Sequence, residues 1–358
     1  MAIDKLARIQ TKRVIVHQIF KRDDVGNVVP PIFNERCEAT NSGYSIIQDR
    51  IVKSMGSKSH SIRMEFEDLS EESVFSRLCA YWKSEKTEEQ FVEFSKEITR
   101  MLSLAQNKRS HPGGIIICVE GTVQQAPKPF FCIIKAEKQD GFSLTRNEDG
   151  VVLSYIDDIF MTKNEKFQKL GLFINNAVSG RNIEQKDIDC YIFDSNTNAS
   201  ISKAKAEYFY RSFLGLTFRR DSDVITNKFF QETKQFIKGL AEISDIKKIE
   251  LSTALLAYIN SEGTTTINPI DFAEQSFTEA PIIDRYTSYL TNRGVALESI
   301  HKDTSMIGNA LKVRSLFFSN NVKLQIPTEE FNEAIEITKD ETTGETIIKI
   351  KGLMLDEK

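Results

Sequence analysis

The chain of 358 residues has little of what secreted, membrane-spanning or zinc-binding proteins require. Its five cysteines are an odd number without CxxC spacing, which argues against a disulfide framework and against a structural zinc site. Apolar runs such as 115–119 and 130–134 are far shorter than the ~20 residues that cross a bilayer. His17 and Gln18 interrupt the apolar stretch after the basic start, so no signal peptide is expected. These features predict a soluble cytoplasmic protein with reduced thiols.

Motifs of the common catalytic sites are missing as well. The chain has no Walker loop, GxGxxG, GxSxG elbow or HExxH, and only four histidines. We therefore expect no enzymatic activity, no cofactor and no metal. The one enzymatic alternative is a magnesium-dependent nuclease, which needs clustered carboxylates and a nearby lysine. Its candidate residues are the acid-x-Lys triplets 184–186, 232–234, 245–247 and 356–358 and the pairs Asp157–Asp158 and Asp187–Asp189, for which solvated turns are the simpler interpretation.

The charge is weakly acidic overall and uneven along the chain. A formal net charge of −4 argues against a small basic DNA-coating protein. Residues 1–22 nevertheless carry +5, residues 49–63 carry +3 and residues 201–240 carry +4, whereas residues 323–358 carry −4. Phosphate binding depends on local basic patches, so nucleic-acid binding stays open.

The N-terminal half predicts helices packed on a sheet. Residues 13–20 form the first strand candidate, and residues 39–61 have the composition of a surface loop that could hold a short helix. Apolar side chains recur at helical spacing in 74–82 and 91–105. Short apolar runs between 115 and 193 then predict an antiparallel or mixed sheet, with the helices covering one face. We assign residues 1–195 to this domain.

The C-terminal half predicts helices followed by strands. Residues 194–200 are a polar linker, and helical apolar patterns dominate 201–295. Strand patterns return in 312–352 and predict a β-meander. We assign residues 200–358 to a second domain, which makes the chain an α+β protein.

Basic residues of the 201–240 region lie on predicted helices and their connection. Lys203 and Arg211 fall opposite the aromatic stripe of the first helix, together with Glu207. Such spacing is typical of a solvated ladder of ion pairs, each worth ~0.2–0.5 kcal/mol. The same cations, with others further along, could instead match phosphate spacing on a nucleic acid. The sequence leaves both interpretations open.

Several segments resemble one bacterial family, the nucleoid-associated proteins of the NdpA type. The resemblance is spread over most of the chain and keeps the same order. The similar segments are 16–23 (VHQIFKRD), 91–95 (FVEFS), 208–215 (YFYRSFLG), 276–279 (SFTE) and 348–352 (IKIKG). The resemblance implies a cytoplasmic protein that co-localises with the bacterial nucleoid and binds DNA without an established enzymatic activity.

We therefore predict binding of double-stranded DNA through phosphate contacts with little sequence preference. The cations at motif positions are Lys21, Arg22 and Arg211. Local charge adds Lys203, Arg219, Arg220, Lys228 and Lys234 as candidate DNA-binding residues. An alternative is a non-enzymatic adaptor that a nucleoid protein recruits through the acidic surface of residues 329–345. We expect no membrane partner, and a homo-oligomer stays open.

Overall fold

A computed structural model describes residues 9–35, 37–56, 61–108, 111–123, 127–136, 139–147, 150–159, 167–178, 180–195, 207–262, 264–340 and 342–353. The chain forms two compact units, Met1–Arg219 and Arg220–Lys358. The sequence placed a domain boundary between 195 and 200, whereas residues 207–219 belong to the first unit. Phe209, Phe213 and Leu216 explain the difference, because they are buried in the core of that unit's sheet.

The first unit is built on an antiparallel sheet of seven strands in the order β1-β3-β4-β7-β8-β2-β9. Strands β5 and β6 pair with each other as a separate hairpin. The strands are β1 (Ile9–Ile19), β2 (Ser61–Phe66), β3 (Gly114–Val123), β4 (Lys128–Ala136), β5 (Gln139–Asn147), β6 (Gly150–Ile159), β7 (Lys169–Asn175), β8 (Ile188–Asp194) and β9 (Leu216–Phe218). The helices are α1 (Asn41–Met55), α2 (Val74–Lys83), α3 (Glu88–Ala105), a 3₁₀ turn (Gln185–Asp187) and a π-helix (Tyr208–Phe213). The α+β prediction is confirmed.

Both faces of this sheet are buried. Along β3, Ile116 and Cys118 enter one core cluster, and Ile115, Ile117 and Val119 enter another on the opposite face. Because alternate side chains of a strand point to opposite faces, a strand covered on both sides is apolar throughout. This is why the continuous apolar run 115–119 coincides with β3.

Helices cover the two faces unequally. Helices α2 and α3 and the π-helix contribute to the cluster on one face, and Thr87 starts α3 with a capping box. Helix α1 packs on the other face through Ile47, Ile51 and Met55, which recur every four residues. Its Thr40 side chain accepts a hydrogen bond from the Gly43 amide as the N-cap. The structure thus corrects two expectations. Much of the expected surface loop at 39–61 is helix α1, and helices cover both faces of the sheet instead of one.

The second unit is mainly helical around one core. Its elements are α4 (Ser222–Gly239), α5 (Asp245–Asn260), β10 (Thr266–Ile267), α6 (Pro269–Ser276), α7 (Ala280–Asn292), β11 (Ile300–His301), α8 (Gly308–Lys312), β12 (Val313–Phe317), β13 (Lys323–Pro327), α9 (Phe331–Ala334), β14 (Ile335–Lys339) and β15 (Thr346–Ile350). Phe229, Phe272 and Tyr286 are fully buried at its centre. A hydrogen bond of 2.7 Å between the hydroxyls of Tyr286 and Thr233 satisfies the buried phenol.

The C-terminal strands pair as two antiparallel hairpins, β12–β13 and β14–β15. Ile326, Phe331 and Ile335 form a small core beneath them. In the described part of the chain, no helix combines the length and the apolar character that a membrane span requires.

Candidate nucleic-acid interface

The two N-terminal candidate cations differ in their surroundings. Lys21 is exposed on the connection after β1. Arg22 is half-buried, and its guanidinium donates hydrogen bonds to the Gln106 carbonyl at 2.7 Å and to the Leu104 carbonyl at 2.9 Å. A cation at the C-terminal end of a helix satisfies carbonyls that lack intrahelical partners. Arg22 therefore caps the end of α3.

Arg211 lies on the π-helix and is engaged in ion pairs. Its Nη1 lies 3.0 Å from Glu207 Oε1, and its Nε lies 3.8 Å from Glu67 Oε2. These carboxylates raise the pKa of Arg211, with the Glu207 hydrogen bond as the largest cause. The Glu207–Arg211 pair matches the ion-pair interpretation of this helix. Lys203 lies outside the described residues.

Arg219 and Arg220 stand at the division between the two compact units. Arg219 is half-buried and Arg220 is exposed. Both already interact with neighbouring groups.

The last two candidates, Lys228 and Lys234, lie on different sides of α4. Six residues of an α-helix turn through about 600°, which leaves these side chains about 120° apart. Lys228 donates a hydrogen bond of 3.2 Å to the Gly294 carbonyl. Lys234 instead lines a groove, together with Lys238 one turn further along. The two lysines therefore do not form one strip.

This groove has a volume of about 890 Å³ and lies within the second unit. Helices α4, α5 and α8 and strand β12 line it, together with Gln325 of β13. We call it the basic groove because its lining contains Lys234, Lys238, Lys248, Lys312 and Arg314. Among the described residues that line it, none is acidic. Such a concentration of one charge creates a positive local potential in a protein of negative net charge.

Three of the five cations are exposed and one is partly covered. Lys234, Lys238 and Lys312 reach solvent, so their ammonium groups can contact a ligand at the mouth of the groove. Lys248 is half-buried, and its Nζ lies 3.6 Å from Asp245 Oδ1. The Lys234 ammonium also lies 5.1 Å from the centre of the Phe230 ring.

Arg314 is the buried member of the basic groove, with 7% of its surface exposed. Its Nη1 donates a hydrogen bond of 2.8 Å to Thr253 Oγ1, and its guanidinium lies 3.4 Å above the centre of the Phe331 ring. No carboxylate of the described residues forms an ion pair with it, and burial lowers its pKa to about 10. It remains protonated at neutral pH. A buried cation without a counterion is costly, and a bound anion would remove that cost.

Sequence reasoning identified Lys234 and missed Lys248, Lys312 and Arg314. One signal was present in β12, where the usual alternation is inverted. Arg314 occupies a buried position, whereas Val313 and Phe317 are exposed. An arginine at an inward position between outward apolar residues breaks the strand pattern, which marks a position with a special role.

The described acidic residues of the nuclease alternative are engaged in local contacts, and the triplet 356–358 lies outside the described residues. Asp189 pairs with Arg63 and accepts a hydrogen bond from Asn176, and Asp187 pairs with Arg181. Lys186 of one acid-x-Lys triplet pairs with Glu184 at 2.7 Å. Among the described residues, no three His, Cys, Asp or Glu side chains form a group that could hold a metal ion. The side chains of Asp157 and Asp158 lie outside the described part of the chain.

Comparison with protein-family models gives a match over most of the chain. The sequence model of a family described as nucleoid-associated protein YejK covers residues 15–351, nearly the whole chain. This confirms the resemblance to bacterial nucleoid-associated proteins of the NdpA type. Curated proteins yield no significant match.

Proposed function

Because the chain belongs to the family of the nucleoid-associated protein YejK, we propose that it binds the DNA of the nucleoid directly, through its phosphates and with little sequence preference. The observation that carries this proposal is the basic groove, with five cations and no acidic residue among its described lining. Lysine and arginine contacts to phosphate supply most of the sequence-independent affinity of DNA-binding proteins. The same proposal places the protein in the cytoplasm, at the nucleoid.

The cations of the basic groove suit a phosphate backbone. Lys234, Lys238 and Lys312 are exposed and can follow successive phosphates of a duplex that lies across the mouth. Arg314 can donate two parallel hydrogen bonds to one phosphate because its guanidinium is planar and held by stacking on Phe331. Bases of a duplex stay paired in this arrangement, so little sequence preference is expected.

Removing two groove lysines should reduce the salt dependence of DNA binding. With about five phosphate contacts, the slope of log K against log salt should be about −4 to −5. Lys234→Ala with Lys238→Ala should make this slope less negative by about 2. Fluorescence anisotropy of a labelled random duplex, titrated at several salt concentrations, measures it.

The matched control removes two lysines outside the basic groove, Lys228→Ala with Lys247→Ala. The net charge changes equally, so an equal effect would contradict the assignment to the groove. Arg219→Ala with Arg220→Ala tests the arginine pair predicted from sequence. A flatter slope for that variant alone would move the interface away from the groove.

We also propose that the protein acts without catalysis, since phosphate contacts need no bond to break. The duplex should therefore stay intact when magnesium is added to the same titration, as gel electrophoresis would show. Degradation that depends on magnesium would instead establish the nuclease. If no duplex binds at low salt, the direct-binding proposal fails and recruitment by a protein partner through residues 329–345 becomes the leading hypothesis.

A further inference from the structure

The lining of the basic groove contains apolar side chains as well as cations. Phe230, Leu256 and Leu316 line it together with the five cations. Apolar side chains give no favourable contact to phosphate or to the polar backbone of a duplex. They do suit the flat faces of nucleic-acid bases, which stack on apolar and aromatic side chains once they are unpaired.

Phe317 supplies an exposed aromatic ring at this groove. It lies at the end of β12, lines the groove and has 74% of its surface exposed. The ammonium of its cross-strand neighbour Lys323 lies 5.5 Å from the centre of the ring. An aromatic ring beside cations is the arrangement by which proteins hold single strands, because every base has a face that can stack.

The size of the groove separates an unpaired strand from a duplex. A volume of about 890 Å³ lies within the range of sites that enclose small organic molecules. Single nucleotides of a flexible strand can enter such a site. A duplex is a wide rod with its bases stacked inside, so its phosphates can reach the cations of the groove while its bases stay away from the apolar lining.

We propose that the basic groove binds an unpaired DNA strand, with phosphates on the lysines and Arg314 and a base stacked on Phe317. This inference rests on the proposed function, since it assigns the same cations to DNA. It adds that the protein binds unwound or single-stranded DNA more tightly than duplex. Charge complementarity selects the backbone, and the apolar lining together with Phe317 selects the exposed base.

The decisive experiment compares a labelled oligothymidylate with a duplex of the same length, using the full chain. Phe317→Ala should weaken binding of the single strand about tenfold and change binding of the duplex less than twofold, because one stacked base is lost. Phe317→Tyr should restore the affinity, since tyrosine retains the ring. Val322→Ala is the matched control. Val322 is an exposed apolar residue between the same two strands, with 52% of its surface exposed, and it does not line the groove.

The outcomes separate this inference from the proposed function. Both proposals are supported if Lys234→Ala with Lys238→Ala weakens binding of the duplex and of the single strand, and if Phe317→Ala weakens binding of the single strand alone. Duplex binding that depends on the lysines, without a preference for the single strand or an effect of Phe317→Ala, overturns only this inference. If neither the duplex nor the single strand binds, the proposed function is overturned as well.

Two further measurements test other occupants of the groove. Thymidine monophosphate should compete only weakly with the oligothymidylate, since it offers one phosphate instead of several. If it competes as strongly as the strand, a free nucleotide replaces the strand as the ligand and the inference is wrong. Sedimentation of Phe317→Ala should match the wild type. A smaller oligomer with unchanged affinity for the strand would assign Phe317 to a contact between copies.

Discussion

Replacing Arg314 by methionine should weaken binding of a random DNA duplex about a hundredfold while leaving the second unit at least as stable as in the wild type. Losing a buried, charge-assisted contact costs about 2–5 kcal/mol of binding free energy, and about 3 kcal/mol corresponds to this factor. If Arg314 serves the interface, its replacement leaves the free energy of unfolding unchanged or raises it. If Arg314 serves the fold, its replacement lowers that free energy.

The stability expectation follows from the surroundings of Arg314. Its charge is buried without a carboxylate partner among the described residues, which makes the folded state costly. Methionine is similar in length, carries no charge and can pack its sulfur against the Phe331 ring. The Thr253 hydroxyl keeps a partner because it donates to the Ile249 carbonyl at 2.8 Å.

Anisotropy with the labelled duplex and urea unfolding followed by far-UV circular dichroism check the two halves of this prediction. Arg314→Lys is the control, because it keeps the charge and loses the planar pair of donors. It should fall between the wild type and the methionine variant in affinity. If methionine destabilises the chain strongly and leaves affinity unchanged in the folded fraction, Arg314 is a structural residue only.

Lowering the pH from about 7 to about 4 should cost the first unit about 3 kcal/mol of its free energy of unfolding through His17 alone. Burial lowers the pKa of His17 to about 4 from its ordinary 6.5, helped by Lys96 and Arg100 and opposed by Glu35. His17 therefore takes up its proton at a lower pH in the folded state than in the unfolded state. The stabilisation is complete above pH 6.5 and is lost as the pH falls towards the folded pKa.

The geometry explains why this histidine resists protonation. Asn34 donates its backbone amide to His17 Nδ1 at 3.1 Å, so this nitrogen must be unprotonated. The proton then lies on Nε2, which donates to Ser95 Oγ at 2.8 Å, and Ser95 in turn donates to the Val92 carbonyl at 2.7 Å. A second proton would break the Asn34 contact inside a fully buried site. His17 is thus a hydrogen-bonded structural residue.

Urea unfolding at a series of pH values tests this, with tryptophan fluorescence as the signal. Trp82 is the single tryptophan of the chain and is buried in the core of the first unit, so its fluorescence reports that unit. His17→Gln keeps a donor towards Ser95 and cannot titrate. Its stability should depend less on pH between about 4 and 6.5, whatever its stability at neutral pH. If the free energy of unfolding falls equally with pH in the wild type and in His17→Gln, His17 is not the source of the pH dependence.

Local charge along the sequence predicts only part of the candidate site. Local charge identified Lys234, which lines the basic groove, and it identified Arg211, which the structure places in ion pairs. Charge density along the chain reports how many cations a segment has. It does not report which of them meet carboxylates in space, and the free energy of a phosphate contact depends on that.

The sequence by itself determined the family, the α+β class and the helices with strong apolar stripes. Helix α3 illustrates this, because its capping box and its stripe of Phe91, Phe94 and Ile98 are local signals that need no distant partner. The sequence placed no more than a short helix within a loop where α1 forms, and it did not predict strand β2. Their polar composition resembles a loop, and only packing on the sheet and pairing with β8 and β9 fix their structure.

The basic groove was decided by the tertiary structure alone. Its lysines come from α4, α5 and α8, and Arg314 and Phe317 come from β12, some ninety residues after α4 begins. No local pattern connects these segments. The folding of the second unit brings the cations together and buries Arg314 without an ion pair to any carboxylate of the described residues. The field that an anion meets depends on distances in space rather than along the chain.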